Sequence, residues 1–141
     1  MQNDCLHFVV PGIPRGKGRP RFSMRGGFGR AYTDSKTRSY EAEVKEFALK
    51  AGAKIRTEPC RMVITAVFPI PKSYSKKKKA AALSNSLRYT KKPDTDNLSK
   101  IKDALNQIAF EDDSQVYREE VTKQYGEKPE LIVEIYYERL E

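Results

Sequence analysis

Two aspartates one residue apart, Asp94 and Asp96, stand immediately ahead of a run with helical period, and Lys100 follows four residues after the second. Three consecutive acids, Glu111, Asp112 and Asp113, close the far end of that run. Carboxylate oxygens suit a hard divalent cation such as Mg²⁺, which takes a few of them and fills its shell with water and substrate phosphate. Two aspartates at a helix start can converge on one ion, with the positive end of the helix dipole keeping both ionised. A third carboxylate would complete the anchor. An ion held this way lowers the pKa of a bound water and neutralises charge growing on a scissile phosphate. The lysine, a fixed charge that cannot hold the metal, would stabilise the pentacovalent state or its leaving oxygen. The chemistry is phosphodiester hydrolysis.

Each of these residues also has a purely structural use. Asp94 or Asp96 can cap a helix, Lys100 can be an (i, i+4) partner of Asp96, and the acidic run can be a solvated turn. Other chemistries lack their residues. No His/Cys set for zinc and no Ser/His/Asp set is present. Cys5 and Cys60 belong to no CxxC cluster and read as reduced structural thiols. The lone His7 lies in a strand-like run and reads as a packed side chain. No G-x-x-x-x-G-K-[ST] spacing occurs, so nucleotide binding is unsupported.

Charge identifies the partner. The net charge of +8 is uneven: residues 15–30 carry six Lys/Arg and no acid, and residues 72–92 carry eight and no acid. The remainder of the chain holds 13 basic against 19 acidic residues. Two basic stretches on an otherwise acidic protein mark a localised polyanion site. The expected phosphate contacts are Arg15, Lys17, Arg19, Arg21 and Arg25 in the first stretch. Lys76, Lys77, Lys78, Lys79, Lys91 and Lys92 are those in the second. Phe22 and Phe28 are interleaved with the first set. No charged-then-apolar leader is visible, and Met62–Ile70 is too short to span a bilayer, so the expectation is a cytoplasmic protein without a membrane partner.

The positioning elements follow from hydrophobic period. Leu6–Ile13 reads as a strand, and the glycine-rich 15–30 stretch as a flexible loop. Thr33, Asp34 or Ser35 can cap a helix over Lys36–Lys54 with the stripe Tyr40, Val44, Phe47, Ala51, its end fraying at Gly52. Arg61–Phe68 is a strand rich in β-branched residues, and Ser75 precedes a short basic helix, Lys76–Leu83. Leu98, Ile101, Ala104, Leu105, Ile108 and Ala109 recur at three- and four-residue steps, which predicts one amphipathic helix over about 97–109. Gln115–Tyr125 and the alternating Leu131–Tyr137 predict two further strands, paired as an antiparallel hairpin. At 141 residues this is a single domain, 1–141, of the α/β (α+β) two-layer class with a mixed sheet.

Residues 93–116, P-D-T-D-N-L-S-K … D-A-L-N … E-D-D-S-Q-V, resemble the signature of the RusA family of Holliday-junction resolvases. The upstream P-R-G-K-G-R-P-R … Y-T-D … Y-E and the later K-Q-Y-G are similar to that family's flanking pattern; lysines 76–79 are outside it. The resemblance implies a Mg²⁺-dependent homodimer, with Mn²⁺ as a substitute, that cuts DNA at branch points in recombination and repair. It implies metal-binding catalytic aspartates at Asp94, Asp96 and Asp113 and a catalytic lysine at Lys100. A nuclease of the same chemistry on other branches or flaps is the first alternative, and a non-catalytic DNA-binding protein the second.

Distance complicates this triad. A helix over 97–109 is roughly 20 Å long, and the few residues after it reach back at most roughly 14 Å. Either the helix stops early, with Asn106 as the candidate break, or Asp113 of one subunit meets Asp94 and Asp96 of its partner across a two-fold axis.

Overall fold

The computed structural model describes the backbone of residues 4–17, 21–23, 30–32 and 35–139, and the side chains of 4–17 and 35–139. A four-stranded mixed sheet carries one layer of helices. The sheet is built from β1 (Cys5–Pro11), β4 (Cys60–Pro69), β5 (Val116–Gly126) and β6 (Glu130–Tyr137), in the order β1-β6-β4-β5. β6 runs antiparallel to both β1 and β4, whereas β5 is parallel to β4. The expected hairpin between the last two strands is therefore wrong: β4 lies between them. β4 buries Cys60, Met62, Ile64, Ala66, Val67 and Phe68 and takes an interior place, paired with β6 on one edge and β5 on the other. β6 alternates as its sequence predicts, with Leu131, Val133, Ile135 and Tyr137 buried on one face. On the opposite face of β1, His7 is exposed, not packed, because Leu6, Phe8 and Val10 take the inward positions.

The helical layer begins with α1 (Ser35–Lys50), whose buried stripe is Tyr40, Val44 and Ala48, with Phe47 beside it. The helix ends four residues earlier than expected, at an ordered stop. Ala53 N–H donates to the Ala48 carbonyl at 3.0 Å and Gly52 N–H to that of Leu49 at 3.0 Å, with Gly52 at φ 96°. This is a Schellman cap, and glycine takes its left-handed position without Cβ cost. Thr33 and Asp34, candidate caps, lie outside the described residues. The basic stretch expected as a loop contains a two-stranded ribbon, β2 (Arg21–Ser23) against β3 (Arg30–Tyr32). α2 (Lys76–Leu83) starts where expected, with Ser75 Oγ accepting from Lys78 N–H at 3.2 Å.

The central helix is broken. α3 covers only Thr95–Ser99, a 3₁₀ segment follows over Lys100–Leu105, and Gln107 adopts φ 63°. Leu98, Ile101, Ala104, Leu105 and Ala109 are buried as the apolar stripe requires, and Phe110 joins them. Three-residue spacing serves a 3₁₀ turn as well as an α-helix, so the pattern alone does not separate the two. The chain stops near Asn106, but Gln107 takes the left-handed conformation while Asn106 stays extended (φ −59°, ψ 130°). α3 packs on β5 and β4, and α1 covers β1 and the 3₁₀ segment.

Candidate hydrolytic site

The segment carrying Asp94 and Asp96 is fixed before it starts. Tyr89 stacks on Phe68 with ring centroids 3.9 Å apart, and its hydroxyl donates to the Lys92 carbonyl at 2.8 Å. On the other side, Lys17 N–H donates to the Asn97 carbonyl at 3.0 Å. A Cβ on Gly16 would lie 2.7 Å from that of Pro93 and 2.9 Å from that of Asn97, so only glycine permits this approach.

Asp94 occupies the N-cap of α3 (φ −70°, ψ 155°), and its carbonyl accepts from Asn97 and Leu98 N–H at 3.1 and 3.2 Å. Its carboxylate makes no capping hydrogen bond. The cap position is thus filled by backbone geometry while the side chain stays exposed, and Asp96, two residues on, is also exposed. Lys100 does not pair with Asp96. Its Nζ donates to Asn97 Oδ1 at 3.3 Å, which holds the ammonium beside the start of the helix without neutralising it.

The acidic turn divides its labour. Asp112 caps a one-turn 3₁₀ segment over Asp113–Gln115 by accepting from Ser114 N–H at 3.0 Å. Gln115 Oε1 accepts from Asp112 N–H at 3.1 Å and from Glu111 N–H at 2.9 Å, completing a capping box. The bonds from Ser114 lower the Asp112 pKa. Asp113 is half-buried and meets Asp103; burial first, then a hydrogen bond with Asp103 and its charge, raise the Asp113 pKa. Asp103 in turn receives Lys17 Nζ at 3.4 Å, and the same ammonium lies 3.4 Å from Glu41. The amino-acid pattern alone gave Asp103 no role. Its signal is an acid three residues beyond Lys100 on the polar side of the apolar stripe. Among the described residues no three His, Cys, Asp or Glu side chains gather closely enough to hold a metal ion. Asp94, Asp96 and Asp113 of one chain are therefore not brought together.

The chain matches the family model of endodeoxyribonuclease RusA over residues 11–136. It is also similar to the uncharacterized protein YqaN of Bacillus subtilis (strain 168), at 41% identity over 136 residues, covering 94% of this chain and 96% of that protein. The chain belongs to the RusA endodeoxyribonuclease family.

Basic side chains surround this RusA-family segment unevenly. Lys76, Lys77, Lys78, Lys91 and Lys92 are exposed and Lys79 half-exposed. None of them pairs with a described carboxylate; the ion pairs lie elsewhere. The lysines crowd the first turn of α2, where the helix dipole opposes positive charge, so they do not stabilise the helix. Lys78 Nζ stands 4.0 Å from the Tyr74 ring centroid and Lys91 Nζ 5.8 Å from it. Arg15 is exposed, whereas Lys17 is engaged by Glu41 and Asp103. Arg19 and Arg25 lie outside the described residues, as does the side chain of Arg21. No helix among the described residues is long and apolar enough to cross a membrane.

Proposed function

We propose that this RusA-family chain is a Mg²⁺-dependent endodeoxyribonuclease that hydrolyses phosphodiesters at DNA branch points, resolving Holliday junctions in recombination and repair as a cytoplasmic homodimer. The observation that carries the reading is the Asp94 carboxylate, free at an N-cap whose usual side-chain bond it does not make. Asp96, in the first turn of the same helix, would supply a second oxygen ligand. Two exposed carboxylates and no soft donor suit a hard cation, with Mn²⁺ as its substitute. When bound, the ion supplies an activated water and charge neutralisation at phosphate.

The third carboxylate in this account is Asp113, because the Asp112 carboxylate is taken up by Ser114. Since one chain does not gather the three acids, Asp113 of the partner subunit would complete each site. A two-fold dimer then presents two equivalent sites to the two cleavage positions of a four-way junction. Lys100, whose ammonium Asn97 Oδ1 holds beside α3, would supply positive charge to the scissile phosphate. The unpaired lysines of α2 and Lys91–Lys92 bind the junction arms, together with the basic arm that begins at Arg15.

The test compares cleavage of four-way, three-way and linear DNA with and without Mg²⁺. Cleavage of the four-way substrate alone supports resolution. Cutting at three-way junctions or flaps with equal rate gives a general branch nuclease, and binding without cleavage gives a DNA-binding protein.

A further inference from the structure

Two side chains on β5, four residues apart and so on one face of the strand, hold the segment bearing Asp94 and Asp96 from opposite ends. Glu119 accepts from Ser99 Oγ at 2.7 Å and from Lys102 Nζ at 3.1 Å, gripping the end of α3 and the start of the 3₁₀ segment. Ser99 is buried, so this bond satisfies a hydroxyl that has lost water. Lys123 Nζ donates to the Lys91 carbonyl at 2.8 Å and to the Pro93 carbonyl at 3.1 Å. Tyr89, whose ring centroid is 5.5 Å from the same ammonium, takes the Lys92 carbonyl between them. Three successive carbonyls, ending one residue before Asp94, are thus each bound by a side chain.

A surface lysine that serves DNA keeps its ammonium in solvent. Lys123 instead is half-buried and commits two of its three donors to the main chain. Its charge has no described carboxylate to answer, which leaves the two carbonyl dipoles and the Tyr89 ring to orient it.

We propose that Lys123 is a positioning residue of the hydrolytic site: by binding the Lys91 and Pro93 carbonyls it fixes the direction in which Asp94 leaves the loop, with Glu119 fixing the other end of α3. The proposal rests on the nuclease reading for its effect on rate, but the clamp itself does not. A small misplacement of a reacting group costs up to about a hundredfold in rate, so a clamp of this kind has a kinetic signature.

The experiment uses the full chain with Lys123→Met and Lys123→Arg. Amide hydrogen exchange over residues 91–97 reads the clamp directly. Lys123→Met is expected to exchange faster there while β4 and β6 remain protected. Its single-turnover cleavage should fall about tenfold or more and its half-saturating Mg²⁺ concentration rise, with junction affinity in EDTA within about twofold of wild type. Lys123→Arg, which keeps two donors and the charge, should restore both exchange and rate. Unchanged exchange over 91–97 in the methionine variant overturns the proposal. So does loosening spread through the whole sheet, or a loss of affinity with the saturated rate intact, which would make Lys123 a phosphate contact. If wild type cuts no DNA while exchange at 91–97 responds as stated, the nuclease reading fails and the clamp stands.

Discussion

Asp113 shares a hydrogen bond with Asp103, ten residues earlier across the chain reversal that ends the central segment; burial first, then this bond and the Asp103 charge, lift Asp113 above its ordinary pKa of 3.8. Its neighbour Asp112, bonded to Ser114, moves the other way. Two adjacent aspartates are thereby separated into a structural cap and a carboxylate under electrostatic load.

If Asp94 and Asp96 hold the ion, Asp94→Asn and Asp96→Asn should each slow cleavage by at least about a hundredfold. Junction affinity should hold or improve, since removing negative charge reduces repulsion from phosphate. Single-turnover gels with parallel binding measurements check this; a wild-type rate in either variant removes that acid from the site.

Lys100 is held at Asn97 and is not paired with an acid, so its charge is free to act on substrate. Lys100→Ala should reduce the rate at saturating DNA by about a hundredfold or more and leave affinity nearly unchanged. Lost affinity with a preserved single-turnover rate would make it a phosphate anchor.

Replacing Lys76, Lys77 and Lys78 together by Gln should weaken junction binding and flatten its salt dependence, by about 0.9 in the log–log slope for each phosphate no longer neutralised. The helix itself should not suffer, because these charges oppose its dipole. An unchanged slope would leave α2 outside the DNA interface.

Arg56 and Glu58 brace the acidic turn: the Arg56 carbonyl accepts from Glu111 N–H at 3.2 Å, and both residues' carbonyls accept from Gln115 Nε2 at 2.9 Å. The Arg56 guanidinium lowers the Glu58 pKa from 4.5 to about 2. A depressed carboxyl stabilises the fold above its unfolded value and loses that contribution as pH falls through its folded one. Glu58→Gln should therefore melt below wild type at pH 7, with the gap closing between pH 4.5 and about 2. A gap independent of pH would show that the ion pair contributes nothing.

The legible parts of this chain were those with a strong period or a local cap. Leu131–Tyr137 alternates because one face of β6 is buried, and the α2 helix follows from Ser75. The stripe from Leu98 to Ala109 located the buried face but not the helix type, since steps of three and four fit α and 3₁₀ turns alike. Adjacency in sequence favours a hairpin of the last two strands, whereas β4 pairs with both and separates them, a long-range pairing that no local period encodes. Asp94, Asp96 and Lys100 stood out by type and spacing. Asp103 and Lys123 lie within the quoted D-A-L-N and K-Q-Y-G patterns and Glu119 outside them, but the role of none was legible, because each meets a partner 10 to 32 residues away.

The claim that each hydrolytic site is shared between two subunits is tested by mixing two inactive proteins, Asp94→Asn and Asp113→Asn, and refolding them together. In a shared site, Asp113 of one subunit serves Asp94 and Asp96 of its partner, so a heterodimer places both lesions in one site and leaves the other whole. The mixture should regain Mg²⁺-dependent nicking of one strand of a four-way junction, which neither variant shows alone. Sites contained within one chain would leave every heterodimer site damaged, and a mixture as inactive as its components would contradict the account.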